Sequence, residues 1–248
     1  MKSFVRKMPL LFAATAFFLP TASIRAQFTQ VNISSQVNVN LQNYTDGANY
    51  PLGGTQFFVS GVPFTLAEIN NTAGTTGIVQ GGGQSEIGAF SYTFLVPVGT
   101  KATVLYTLLN TANGASGVNE GSIVVKGTGG ETATLTLTEG FNIRDHNNDG
   151  FVNTLSDPTV VPTYFLNGAP TTQSIQTRLD RQQLLLPSTF TGDTIASITF
   201  AGTAQGNPNG AAFLAGLTLE NVPEPSTIGL ACLGALALAS RLRGSARL

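Results

Sequence analysis

Asp145, Asn147, Asp149, Phe151, Asn153 and Asp157 share one short stretch, DHNNDGFVNTLSD, at nearly alternate positions. Oxygen-bearing residues at every second place, with a glycine where the chain turns sharply, suit a hard cation such as calcium. With Asp145 as position 1, Asn147 falls at 3, Asp149 at 5, Gly150 at 6 and Asn153 at 9. Asp145, Asn147 and Asp149 would then supply side-chain oxygens, and Phe151 a backbone carbonyl. Position 12 needs a bidentate acid but holds Ser156, and Asp157 comes one residue late. The alternative is an Asx-rich hairpin connection, because Asn, Asp and Gly tolerate positive φ. Metal bound here would order an exposed loop and would not catalyse.

A second set of polar residues is Arg144-Asp145 together with Arg178, Asp180, Arg181 and Gln182. On a strand Arg178 and Asp180 share one face while Arg181 points to the other. One reading makes Arg178, Asp180 and Gln182 a patch that hydrogen-bonds sugar hydroxyls. The other makes the set an ion-pair network tying neighbouring strands together. Enzymatic signatures are missing. His146 is the sole histidine, Cys232 the sole cysteine, and neither Gly-x-Ser-x-Gly nor His-Glu-x-x-His occurs. A carboxylate pair for glycoside hydrolysis needs only to meet in space, and no spacing nominates one. The expectation is a protein that is not an enzyme.

These residues must be positioned by strands. VNISSQVNVNLQ (31–42) alternates apolar and polar residues, as a half-buried strand does. FFVSGVPFTLAE (57–68) reads as strand, turn, strand, and NNTAGTTGIVQGGGQ (70–84) as a loop with a short apolar centre. Further strand candidates are 90–98, 102–111, 121–128, 132–143, 177–186, 194–202 and 211–220. Leu184–Leu186 and FLAGLTL fit central strands covered on both faces. With 28 glycines, many turn residues and no long amphipathic helix, the expected fold is all-β. Its form is an antiparallel β-sandwich or jelly roll of about ten strands.

The two ends read differently from the body. Residues 1–26 have a basic head (Lys2, Arg6, Lys7), an apolar stretch Met8–Leu19 and a small-residue finish at Ala26. That is a secretory signal peptide, cleaved between Ala26 and Gln27 by signal peptidase after Sec export. Residues 27–221 are the exported domain and 222–248 a sorting and anchoring segment. In that segment the 15 residues Ser226–Ser240 carry no charge and would reach about 22 Å as a helix. Arg241, Arg243 and Arg247 follow and would stop transfer at the cytoplasmic face of the inner membrane. Between the two ends, residues 27–225 hold five basic and 13 acidic residues, a net of −8. An acidic, sparsely charged body excludes nucleic acid as a partner. It holds no cysteine, so no disulfide supports it.

Pro223-Glu224-Pro225, the short apolar helix and the arginine-rich end together resemble the PEP-CTERM sorting signal. That signal marks exported proteins of Gram-negative bacteria that make exopolysaccharide. The resemblance implies an exosortase, a membrane-embedded cysteine protease, as the partner that processes the chain near Pro223–Pro225. It also implies a precursor tethered at the inner membrane and a mature form in the cell envelope or extracellular matrix. Two prolines around Glu224 hold the backbone extended and accessible, which suits such processing. The Asp145 stretch resembles the first half of an EF-hand or dockerin loop. More loosely, GVPF (61–64), VLYTLLNT (104–111), the hairpin GSIVVKGTGGETATLTL and GFNIRDH (140–146) resemble galactose-binding-like jelly rolls, although His146 stands where those domains often carry tryptophan. Three functions follow as expectations. The first is a non-catalytic envelope or exopolysaccharide-matrix protein. The second is a lectin-like module, with calcium assisting, and the third a secreted hydrolase.

Overall fold

Period-two segments separated by glycine-rich turns fold here into antiparallel sheets. The computed structural model describes residues 26–81, 89–147, 151–173, 177–203 and 210–222. Asp149, Gly150, Pro223, Glu224, Pro225, Arg241, Arg243 and Arg247 lie outside the described residues. Ala26 and Gln27 are described and exposed, immediately before the first strand.

The chain opens with β1 (Phe28–Gln30), β2 (Val39–Asn40), β3 (Gln56–Val59), β4 (Val62–Thr65), β5 (Ala67–Glu68) and β6 (Thr76–Gln80). It continues with β7 (Phe90–Leu95), β8 (Ala102–Ala112), β9 (Asn119–Gly127) and β10 (Thr132–Thr138). The last described strands are β11 (Tyr164–Leu166), β12 (Ala169–Thr171), β13 (Asp180–Leu185), β14 (Ile195–Gly202) and β15 (Ala211–Asn221). The large sheet runs β13-β8-β15-β6-β2, with β1 on β15 and β5 on β6, and the small sheet runs β10-β9-β14-β7. Strands of the two sheets interleave along the chain except at the β9–β10 hairpin: β6, β8, β13 and β15 lie in one, and β7, β9, β10 and β14 in the other. Eight antiparallel strands interleaved in this order make a jelly roll.

One hydrophobic core lies between the sheets. Leu105, Leu109, Leu214, Leu217 and Leu219 come from the large sheet, and Phe94, Ile123, Val125, Ile198 and Phe200 from the small one. A second core covers the other face of the large sheet. There Ile78, Leu108, Phe213 and Ala215 meet Phe57 and Phe64 of the β3–β4 hairpin, together with Tyr50 and Phe165. Each fully buried side chain of this size contributes roughly 1.5–3 kcal/mol. The β3–β4 turn uses Ser60 (φ 47°) and Gly61 (φ 81°), the paired positive φ values of a tight hairpin loop.

Strand β15 sits between the two cores, as FLAGLTL suggests, but not by simple alternation. Leu214 pairs with Leu109 and Gly216 with Leu108, so Ala215 is the extra residue of a bulge. The bulge lets Leu214 and Leu217, three apart, enter the same core, while Phe213 and Ala215 enter the other.

Three expectations need correction. Residues 31–42 are not one strand: Val31, Ile33, Val39 and Leu41 are buried, yet a turn closed by Gln36 N–H on the Ile33 carbonyl breaks the run. The alternation there reports burial without ladder pairing. Residues 70–84 are not all loop, because Thr76–Gln80 forms a wholly buried strand, β6. Burial on both faces removes the alternation that would have marked it. Leu184–Leu186 ends an edge strand, β13, and not a central one, and Leu185 is 68% exposed.

Candidate functional site

The polar residues singled out by sequence converge on β8, β13 and the loop that follows β10. Asp180, the first residue of β13, pairs with Leu109 and takes part in four hydrogen bonds as acceptor. Its Oδ2 accepts from Arg144 Nε at 2.6 Å and Asn110 Nδ2 at 3.0 Å. Its Oδ1 accepts from Arg144 Nη2 at 2.9 Å and the Thr163 N–H at 3.0 Å. Arg144 is thus held bidentately, the geometry in which guanidinium and carboxylate match best. It also donates through Nη1 to the Asn153 carbonyl at 3.1 Å and lies 5.5 Å from the centre of the Tyr164 ring. Burial pulls the Arg144 guanidinium down, but the hydrogen bonds and charge of Asp180 outweigh it and leave the group above its ordinary value.

Arg178 does a different job. Its Nε donates to the Asp145 carbonyl at 2.8 Å, and its Nη2 to the Asn147 carbonyl at 2.5 Å and to Asn153 Oδ1. The Asn153 side chain, one of the groups that the sequence offered to calcium, therefore already receives a protein cation, which also holds the backbone carbonyls of two others. Asp145, fully buried, accepts backbone N–H groups of Asn113 and Asn147, both at 2.7 Å. Asn153 Nδ2 donates to the Phe151 carbonyl at 3.1 Å. Asp157 lies apart from these and accepts from the backbone N–H and hydroxyl of Thr159. Among the described residues, no three His, Cys, Asp or Glu side chains come together as a metal-binding group.

The proposed sugar patch is not on the surface. Arg178 is 2% exposed, and Asp180 and Gln182 are fully buried. Gln182 donates to the Leu109 carbonyl at 2.9 Å and accepts from the Thr107 hydroxyl at 3.1 Å. Sequence spacing grouped these residues correctly, but could not show that the strands around them close over their polar atoms. Arg181 lies on the opposite face of β13 from Asp180, 4.9 Å above the Tyr106 ring. Tyr106 donates to Glu220 at 2.8 Å, and burial followed by that carboxylate raises its phenol to about 12.

His146, the only imidazole, is enclosed by aromatic rings. Its Nδ1 lies 2.8 Å from the Tyr50 hydroxyl, and its ring packs edge-on against Tyr44 and Phe213. Burial, then the nearby charge of Arg178, pushes it down to about 4. Sequence reasoning missed Asn110 and Thr163, because each reaches the network from a distant element with no local motif.

A buried neutral histidine has a definite pH signature. The unfolded chain binds its proton near pH 6.5 and the folded chain only near 4, so stability falls as pH drops through that window. The loss approaches about 1.4 kcal/mol per pH unit. The stability difference between wild type and His146→Gln, read from denaturant melts between pH 7 and 4, should follow this slope, because the other titrating groups are common to both proteins.

Among the described residues no helix is long and apolar enough to cross a membrane. No curated protein matches the chain. The PEP-CTERM protein-sorting motif matches residues 221–243, which gives this chain the C-terminal signal of an exported, membrane-anchored precursor that an exosortase processes.

Proposed function

We propose that residues 27–221 act as a non-catalytic component of the cell envelope or exopolysaccharide matrix, delivered there by the C-terminal signal. The sorting-motif match at 221–243 carries this reading. The body supports it, because the groups that could do chemistry hold the fold together. Asp180 and Arg144 satisfy one another, Arg178 ties three loop oxygens, and the only histidine sits against a tyrosine hydroxyl with no serine or cysteine bonded to it among the described residues.

The test is retention of the purified mature protein on exopolysaccharide from the producing organism, first with calcium and then with EDTA. Retention in both buffers is the expected result. Loss of retention with EDTA would favour the lectin-like, calcium-assisted reading. Failure to bind in either buffer would remove the matrix role for that polymer.

A further inference from the structure

Two acidic residues take no part in the Asp180 network. Glu120 lies at the start of β9, where Leu137 pairs with Gly121 and Thr138 with Asn119, making Glu120 the extra residue of a bulge. Bulges re-aim side chains. Here the bulge is enforced by Gly121 (φ 148°), where a Cβ would lie 2.1 Å from the Ala201 carbonyl oxygen. Glu120 is fully buried, and neither of its carboxylate oxygens has a hydrogen-bond partner.

Glu139, just past β10, faces the same region. Its backbone brackets the entry to β9, donating to the Val118 carbonyl and accepting from the Gly117 N–H, both at 2.9 Å. It is 1% exposed. Oε1 accepts from the Thr111 hydroxyl at 3.0 Å, while Oε2 has no partner. Its carboxylate lies flat against Gly114, where any Cβ would come within 2.3 Å of it. Burial pushes Glu139 up to about 9, and the neighbouring charges of Glu120 and Asp145 add to the rise against the opposing Thr111 bond. Burial likewise pushes Glu120 up to about 7, and the backbone N–H of Ala115, which approaches it without completing a hydrogen bond, offsets this only in part. Among the described residues, no Lys, Arg or His forms an ion pair with Glu120 or Glu139.

Three buried, unpartnered carboxylate oxygens are costly in any protonation state. A proton shared between the two groups would bond one oxygen of each and still leave one Glu120 oxygen unsatisfied and one negative charge buried. A hard divalent cation satisfies all of them together, since it takes carboxylate and hydroxyl oxygens as ligands. We propose that Glu120 and Glu139 form a calcium site where β9 meets β10, with Thr111 holding Glu139 in position. The site uses no side chain of the Asp145–Asp157 loop, although Asp145 lies beside Glu139.

The test uses the full chain in detergent, titrated with calcium chloride by calorimetry and melted in calcium and in EDTA. The wild type should bind calcium, with a Kd of about 10⁻³ M or tighter, and melt higher in calcium. Glu120→Gln and Glu139→Gln, neutral isosteres that keep the packing, should each weaken binding about tenfold or more and lose the calcium-dependent melting shift. Asp149→Asn should keep both. Three results would overturn the site: no calcium binding by the wild type, unchanged binding by both Gln variants, or loss of binding in Asp149→Asn alone. Equal gains in melting temperature for the Gln variants in calcium and in EDTA would show that the carboxylates hold protons instead.

Discussion

Replacing Asp180 with alanine is expected to destabilise the body by about 3–5 kcal/mol. The change removes four acceptor contacts at once and leaves Arg144 buried beside no counter-charge. Arginine cannot escape by losing its proton, since its guanidinium stays charged throughout the accessible pH range. Asn110 Nδ2 loses one acceptor but keeps the Arg144 carbonyl at 3.2 Å. The Thr163 N–H loses the partner named for it. The cost is therefore that of an orphaned charge and not the net worth of the pair. The double change Arg144→Met with Asp180→Leu should lose less than Asp180→Ala alone, because a matched apolar pair leaves no buried ion. Urea melts of the three proteins read both differences. A loss below about 1 kcal/mol for Asp180→Ala would place the pair with exposed ion pairs and make it incidental to the fold.

Changing Pro223, Glu224 and Pro225 together to alanine is expected to hold the protein in the membrane fraction as unprocessed precursor. These residues fall inside the matched segment 221–243. By their chemistry, prolines on both sides of Glu224 favour an extended peptide and disfavour helix there. Alanine at all three places lets helix propagate through the cleavage region, since alanine is the best helix former and proline the worst. Fractionation and blotting of wild-type and variant cells read the outcome. Equal release of both forms would mean that processing does not depend on this tripeptide.

Local pattern made much of the architecture legible. Strands with one face in a core announced themselves by alternation, as β9 and β14 do. The exceptions share a cause. Thr76–Gln80 is buried on both faces and bordered by glycines, so its sequence looks like a loop. Val31–Gln42 alternates because turns and short 3-10 segments also bury every second residue. The bulge at Ala215 breaks period two where β15 must feed two cores, and Gly216 is the only local sign of it.

The site was legible in its members but not in its burial. Arg144, Arg178 and Asp180 were grouped by composition, since three of the body's five basic residues stand in two short clusters. Whether they face solvent depends on Tyr164, Asn153 and Thr163, which approach from other parts of the chain. Glu120 and Glu139 carried one faint signal. Each precedes a glycine with positive φ, Gly121 and Gly140, Glu120 near the start of β9 and Glu139 just past the end of β10. An acid at such a place is turned off the ladder, and only the fold shows that both are turned inward.

The central claim is that this body is exported and then cut free of its C-terminal tail. Intact-mass measurement of the mature wild-type protein from the producing cells tests it most directly. The account predicts a chain that begins at Gln27 and ends at or near Pro223–Pro225, without Cys232 or the terminal arginines. A mature species that still extends to Leu248 would contradict it.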